Sequence, residues 1–342
     1  LIFSMFILLL CKPLFLFEVG FQLSYLAVFG IIWIQPVIYN RWKPRFLLPD
    51  KAWQLITVSI AAQLGVLPLS LFYFHQFPGF FLVSNLVIIP FLGFILIGGI
   101  LILALAYLSI LPYFLADFYG FIISLLNNFI AFIAKQEEFL FTAISFSGLK
   151  MMTTYLLLIF GFQFFIKTKS KQFLMFLGSI LLFQMINIYE KYTTESQQEF
   201  VVFHRSRNSI LGQRIGAELF VYHDMDSLEI AKQNLLKNYK VGENVQYKLR
   251  EQLPNVFYQN EQAILLIDSL GIYDLVGLQN PIVILQQSPK VNLERLIAQL
   301  KPKQIIADGS NYKSSVLLWQ QTCLKTKTPF WSTYQNGAYI LK

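Results

Sequence analysis

The stretch from Glu18 to Pro90 decides the fold of the N-terminal half, through the segments EVGFQLSYLAVFGI (18–31), SIAAQLGVLPLSLFYFHQFPG (59–79) and SNLVIIP (84–90). Each segment is apolar enough to cross a bilayer, yet each contains uncharged polar or helix-breaking residues. They are Gln22, Ser24, Gln63, Gly65, Pro68, His75, Gln76, Asn85 and Pro90. A polar group in hydrocarbon is costly unless it has a partner or faces water. The pattern therefore predicts helices that line a pathway, with these nine residues as the candidates.

Two interpretations of these polar residues stay open. Gln22 and Ser24 are equally compatible with interhelical hydrogen bonds, each worth roughly 0.6–2 kcal/mol in membranes. Gln63 is followed by the helix disruptors Gly65 and Pro68. Because a disrupted helix at membrane depth needs protein or a water-filled cavity to satisfy its backbone, this segment predicts an opened backbone near a cavity.

The composition excludes a soluble globular protein. The 342 residues have a mean hydropathy of +0.55, and 13% of them are charged, about half the fraction usual in soluble domains. The long uncharged runs end at about residue 188. We therefore expect an α-helical polytopic membrane domain over residues 1–189, followed by a soluble mixed α/β domain over residues 190–342.

The apolar runs predict six or seven membrane spans, since a spanning helix needs about 20 residues. After the tail of one span at 1–11, the predicted spans are 21–39, 52–73, 81–109, 113–134, 151–166 and 172–188. The run 81–109 is too long for one straight span and contains Pro90 and the Gly98-Gly99 pair. We therefore expect it to be broken or re-entrant.

Basic loops predict the orientation, because cytoplasmic loops are enriched in Lys and Arg. One cluster precedes the span 52–73 and the other precedes 172–188. The first cluster consists of Arg41, Lys43, Arg45 and Lys51. The second consists of Lys167, Lys169 and Lys171. Four predicted spans separate the clusters, so both fit the cytoplasm, and the last span then delivers the soluble domain to the outer, periplasmic face. The segment 135–150 falls at the outer interface, either in the headgroup plane or as a plain loop.

The soluble half alternates short apolar runs with helical stretches. Strands are predicted at 200–204, 218–222, 263–267, 282–286 and 304–307, with a terminal hairpin of 329–333 and 337–341 around Asn336-Gly337. Helices are predicted at 226–238, capped by Asp226 or Ser227, and at 291–300 and 312–324. This order is typical of a mixed α/β domain.

Several motifs of the membrane half resemble the ComEC family of competence proteins. They are GFQLS (20–24) with AV (27–28) and GI (30–31), AAQLGVLP (61–68), YFHQF (73–77), SNL (84–86) and Pro90, in this order. The resemblance covers roughly residues 13–188 well and the remainder loosely. It implies a channel that carries single-stranded DNA across the bacterial cytoplasmic membrane during natural transformation. It also implies that this chain, which opens with Leu1 inside an apolar run, is an N-terminally truncated fragment.

The resemblance implies partners as well. They are single-stranded DNA, membrane lipid, a DNA-receptor protein on the outer face, a cytoplasmic helicase-like ATPase and a further copy of the chain in a homo-oligomer. The sequence contains no GxxxxGK[ST] phosphate-binding loop, so a separate motor is expected to supply the energy. No cofactor is expected.

Aromatic and basic residues give weaker indications. Tyr73, Phe74 and Phe77 near His75 predict either an interfacial aromatic belt or a mouth on which DNA bases stack. The net charge is +8. The basic residues of the soluble half are compatible with a DNA-guiding face or, more commonly, with solvated surface charge: Arg205, Arg207, Arg214, Lys232, Lys237, Lys240, Lys248 and Arg250.

In the ComEC family the soluble position is often held by a metallo-β-lactamase-like domain, and IADGSN (306–311) resembles the end of one. A binuclear hydrolase needs a dense ligand cluster, typically HxHxDH. Here His204, His223-Asp224, Asp268 and Asp308 stand apart in the sequence. We therefore expect a degenerate metallo-β-lactamase-like domain without nuclease activity. The alternatives are a membrane-tethered hydrolase or nuclease acting through this domain, and a transporter of another polymer or lipid.

Overall fold

The structure is a computed structural model that describes all residues except 227, 228, 231, 232, 251, 252, 274–277 and 279. The chain divides into two compact units, Leu1–Asn187 and Ile188–Lys342, which are described separately below. The predicted cap Ser227 and the basic residue Lys232 lie outside the described residues.

The first unit is helical. Its helices are α1 (Ile2–Cys11), α2 (Val19–Tyr39), α3 (Leu47–Phe74), α4 (Phe81–Tyr107), α5 (Tyr113–Ala134), α6 (Gly148–Ile166) and α7 (Ser170–Ser196), the last of which continues into the second unit. By length and composition, the six helices α2–α7 are able to cross a membrane. The predicted fold class, a polytopic helical part followed by an α/β part, is confirmed.

The expectation of a broken or re-entrant 81–109 segment is wrong. The segment forms the continuous helix α4, with Pro90 inside it. A proline removes one backbone hydrogen bond, whereas a fully opened backbone in hydrocarbon would leave several groups unsatisfied. Continuing the helix is therefore the less costly arrangement.

Helices α2 and α3 approach closely where two glycines meet. A Cβ atom built on Gly30 would lie 2.5 Å from the Ala61 carbonyl oxygen, and one on Gly65 would lie 2.5 Å from the Leu26 carbonyl oxygen. Small residues let membrane helices approach to backbone contact. Gly65 is therefore a packing residue in this structure.

The segment 135–150 makes a short ladder. Strand β1 (Phe77–Pro78) pairs antiparallel with β2 (Leu140–Phe141), and the Gly79 N–H donates to the Phe139 carbonyl oxygen at 2.8 Å. A single 3₁₀ turn, Glu137–Phe139, precedes β2. The segment is thus tied to the end of α3 by backbone hydrogen bonds.

The second unit contains two five-stranded sheets. In the first, β12 (Tyr339–Leu341), β3 (Gln198–Arg205), β4 (Asn208–Ile215), β5 (Glu218–His223) and β6 (Gln246–Arg250) are neighbours in that order. In the second, the order is β11 (Phe330–Ser332), β10 (Gln304–Ala307), β9 (Ile282–Leu285), β8 (Gln262–Ile267) and β7 (Val256–Gln259). The second sheet is parallel except for the β7–β8 pair.

The sheets pack face to face and helices cover their outer faces. Alternate residues of β3 show the layers, because Phe200 and Val202 face the inter-sheet core while Val201 and Phe203 face the outer cluster of the first sheet. Helix α8 (Asn234–Glu243) packs on that outer face, and α9 (Leu293–Leu300) and α10 (Lys313–Thr326) pack on the second sheet. The unit is a helix–sheet–sheet–helix sandwich.

The predicted terminal hairpin is wrong. β11 pairs with β10 in one sheet, whereas β12 pairs with β3 in the other. The short helix α11 (Thr333–Asn336) and Gly337, at φ +78°, carry the chain between the sheets. Asn336-Gly337 is therefore part of a connection between the two sheets. Three further strands, β4, β6 and β7, were not predicted.

Candidate functional site

Gln22 makes an interhelical hydrogen bond. Its Nε2 donates to the Leu16 carbonyl oxygen at 2.7 Å, and the Tyr73 hydroxyl donates to its Oε1 at 3.0 Å. The amide thus joins the chain before α2 to the last turn of α3. One candidate pathway residue and one candidate stacking residue are brought into contact here.

The other polar candidates are scattered over the first unit. Gln63 and Asn85 are half-buried, and no hydrogen-bond partner is found for either side chain among the residues that the structure describes. Ser24, Gln76 and Pro90 are exposed. Of the candidate amides, Gln63 and Asn85 are therefore open to a further partner.

Helix α3 has an unforeseen partner one turn before Pro68. The Tyr155 hydroxyl of α6 donates to the Gly65 carbonyl oxygen at 3.1 Å. Helix α3 is continuous through Gly65 and Pro68, so the expected opened backbone is wrong, and nothing local in the sequence links Tyr155 to this position.

Apolar clefts flank this contact. A cleft of about 850 Å³ is lined by Gly30, Trp33, Gly65 and Tyr155 together with aliphatic residues of α1, α2 and α6. A second, of about 420 Å³, reaches Gln22 and Tyr73. Among the candidates on α2 and α3, Gln22, Gly65 and Tyr73 therefore border accessible space within the first unit.

The aromatic group around His75 is partly engaged. His75 ends α3 in the left-handed region at φ +54°, and its Nδ1 lies 3.2 Å from the Ile144 carbonyl oxygen. The Phe77 ring packs on Phe81 and Phe141, at centroid distances of 5.7 and 6.4 Å. Tyr73 and Phe74 are 36% and 51% exposed, so these two rings remain accessible.

A polar network occupies one end of the sandwich in the second unit. Asp308 follows β10, and its carboxylate accepts hydrogen bonds from Ser209 Oγ at 2.5 Å, from Ser310 N and Oγ at 3.0 and 2.5 Å, and from Asn311 Nδ2 at 3.0 Å. Gln286, after β9, donates to Ser209 Oγ. Burial raises the pKa of Asp308 to about 6, although the hydrogen bonds from Ser209 and Ser310 oppose that rise. Sequence reasoning singled out Asp308 but not its neighbours.

The potential metal ligands are engaged separately. His204 Nδ1 lies 3.1 Å from Thr333 Oγ1, His223 Nδ1 lies 2.9 Å from the Met225 carbonyl oxygen, and Asp268 accepts the Leu270 N–H. Within the described ranges, no group of three or more His, Cys, Asp or Glu side chains is placed to hold a metal ion.

Comparisons with known proteins agree on one family. The Competence protein family model matches residues 1–168, and the ComEC C-terminal domain model matches residues 200–342. ComE operon protein 3 of Bacillus subtilis (strain 168) is 34% identical over 140 residues, which cover 40% of this chain and 17% of that relative. No solved structure matches the chain.

The two family models are adjacent and in the order of the two units, and between them they match the whole chain except residues 169–199. The first covers most of the apolar helices and the second covers the sandwich. The multi-pass helical part and the motifs around Gln22, Gln63 and His75 agree with this assignment. The chain therefore belongs to the ComEC family of competence proteins.

Proposed function

We propose that this chain forms part of a channel through which single-stranded DNA crosses the bacterial cytoplasmic membrane during natural transformation. Residues 1–189 would be the channel domain and residues 190–342 its soluble domain. The family membership supports this proposal. Because the matched segment covers only 17% of the curated relative, the activity of the whole protein is part of the proposal.

The observation that carries the proposal is a pair of amides left open on helices that are apolar enough to cross a membrane. Gln63 and Asn85 lie on apolar helices without a partner in the described structure. An unsatisfied amide in hydrocarbon costs several kcal/mol. Water or a passing polar substrate would satisfy the amide and remove that cost. Because the amide is neutral, it would not repel the phosphates of DNA.

The exposed rings of Tyr73 and Phe74 are suited to the mouth of such a path. Bases stack on aromatic faces whatever their identity, at roughly 1–3 kcal/mol per base. Tyr73 also donates to Gln22, so one ring would link the mouth to a polar residue of α2. Phe77 is packed against Phe81 and Phe141, so it would contribute less.

The orientation follows from the basic loops. With Arg41 to Lys51 and Lys167 to Lys171 in the cytoplasm, the soluble unit would lie on the outer, periplasmic face. A DNA-receptor protein would then deliver the strand from outside, and a helicase-like ATPase would pull it from inside. A homo-oligomer remains part of this proposal.

The test is DNA uptake in a transformable bacterium that carries the complete gene encoding this chain in place of its own channel gene. Labelled DNA is scored at the cell surface and in the cytoplasm. Gln63→Leu is compared with Gln163→Leu, the same substitution at an exposed position of α6, at matched membrane abundance. We expect cytoplasmic DNA to collapse for Gln63→Leu alone, with surface DNA unchanged. Normal cytoplasmic DNA in the gene deletion would contradict the proposal and favour transport of another polymer or lipid.

A further inference from the structure

A cleft of about 810 Å³ lies at the polar end of the sandwich, between the β3–β4 turn, the loop after β10 and the start of α10. Its volume is in the range of small-molecule sites. Its lining includes Arg207, Asp308, Ser310, Tyr312, Lys313 and Tyr334. All of them belong to the second unit.

The backbone around the cleft is fixed. The Arg207 N–H donates to the Gly309 carbonyl oxygen at 2.8 Å, and Gly309 packs so tightly on the Arg205 backbone that a Cβ atom there would clash. Arg207 and Ser288 both have positive φ, at +66° and +55°. Such conformations cost of order 1–3 kcal/mol each and cluster at binding sites. The turn that carries Arg207 is therefore held against the loop that precedes Lys313.

The accessible charge of the cleft is positive. Arg207 and Lys313 are exposed, and no carboxylate lies within salt-bridge distance of either in the part of the chain that the structure describes. The acid of the lining, Asp308, is 2% exposed, and its oxygens are taken by Ser209, Ser310 and Asn311. A ligand entering the cleft would meet the two cations.

Lys313 is positioned by an aromatic ring. Its Nζ donates to the Tyr334 hydroxyl at 2.9 Å and lies 4.3 Å from the centroid of that ring. Lys313 is also the first residue of the 14-residue helix α10, which has no side-chain cap at its start. The positive end of the helix dipole adds to the cationic charge there. The neighbouring Tyr312 ring is 73% exposed.

We propose that this cleft binds the phosphate of a nucleotide, with Arg207 and Lys313 holding the phosphate and Tyr312 stacking on the base. Arg pairs with phosphate through two parallel hydrogen bonds, and an exposed ring suits any base. The nucleotide is either free or the phosphorylated end of a DNA single strand, since the recognition chemistry is the same. This binding does not depend on passage of DNA through the helices.

The test is calorimetric titration of the purified full chain in detergent with deoxythymidine monophosphate, and with deoxythymidine as the ligand lacking phosphate. Arg207→Ala and Lys313→Ala are compared with Lys325→Ala, which removes the same charge at the opposite end of α10. We expect the monophosphate alone to bind. The first two variants should weaken it about ten- to hundredfold, the effect of one lost charge-assisted hydrogen bond, and Lys325→Ala should change it less than twofold.

Competition by a 5′-phosphorylated oligothymidine and by its unphosphorylated form distinguishes the two sources. Displacement by the phosphorylated oligomer alone assigns the cleft to a strand end, and no displacement assigns it to free nucleotides. Absence of monophosphate binding at millimolar concentration, or equal loss in all three variants, overturns the proposal. Because binding is measured on purified protein, its failure is distinguishable from failure of DNA uptake.

Discussion

Replacing Asp308 by Asn should change how the stability of the soluble unit depends on pH. The folded-state pKa of Asp308 is raised from 3.8 to about 6, chiefly by burial. The native state therefore binds more protons than the unfolded state between these values, and the free energy of unfolding falls as pH rises. The shift of roughly two units corresponds to about 3 kcal/mol, fully present below the unfolded pKa and lost as pH rises through about 6.

Asn mimics the neutral form of Asp308 and does not titrate. Its side-chain oxygen keeps the bonds from Ser310 and Asn311, and its amide faces Ser209 Oγ in place of the carboxyl proton. The unfolding free energy of the wild type, minus that of Asp308→Asn, should therefore fall by about 3 kcal/mol between about pH 3 and pH 7.

Urea titration of the full chain in detergent measures this difference, with the fluorescence of Trp319 as the probe because its indole is buried at 4% exposure on α10. Asp268→Asn, at the end of β8 and outside the Asp308 network, controls for the chemical change. A wild-type minus Asp308→Asn difference that stays constant or rises with pH would show that folding does not raise the pKa of Asp308.

Three further predictions concern packing and buried polar groups. Arg214, 1% exposed, is paired with Glu199 at 3.1 Å. Arg214→Met should lower the urea unfolding free energy by about 3–5 kcal/mol, because the buried Glu199 loses its cationic partner and keeps only the Tyr239 hydroxyl; adding Glu199→Met should recover part of it. A loss below 1 kcal/mol would contradict this. Gly30→Ala should destabilise the helical unit by about 1–3 kcal/mol, because the added Cβ would meet the α3 backbone. The control Gly93→Ala, with open space around the added Cβ, should be neutral or slightly stabilising. Equal melting temperatures of the two variants in detergent would show that the Gly30 contact is unimportant for stability. Tyr155→Phe should cost about 0.5–1.5 kcal/mol in the same melting assay, because the Gly65 carbonyl oxygen of α3 loses the hydroxyl that donates to it. An unchanged melting temperature would mean that this bond contributes nothing to stability.

The sequence predicted the membrane helices well because their signal is local. The run 113–134 coincides with α5, and the span 21–39 lies within α2. Hydrophobic length alone decides such elements. The prediction failed at 81–109, where it gave Pro90 more weight than the cost of opening a helix in hydrocarbon.

In the soluble unit the missed features depend on long-range contacts. β4 contains Gly212, Gln213 and Arg214, a polar pattern that forms a strand where β3 and β5 pair with it on both sides and Arg214 pairs with the buried Glu199. The partner of β12 is β3, more than a hundred residues earlier. The Tyr155 contact with α3 is of the same kind, since the residues meet only after the helices have packed.

The sequence predicted individual residues of the candidate site but not how they are arranged in space. The side chains of the motif residues Gln22 and Tyr73 are hydrogen-bonded to each other. Their order in the sequence does not predict this contact. The cleft with Arg207 and Lys313 forms only because the β3–β4 turn and the loop after β10 lie at the same end of the sandwich. Sequence spacing does not contain that juxtaposition.

The central claim is that DNA passes beside Gln63. A photo-crosslinking amino acid is placed at position 63, or at the exposed position 163 of α6, in the complete protein of transforming cells, and irradiation is applied while labelled DNA is entering. We expect a covalent adduct with single-stranded DNA at position 63 and none at position 163. Undiminished uptake without an adduct at position 63, or with equal adducts at both positions, would contradict it.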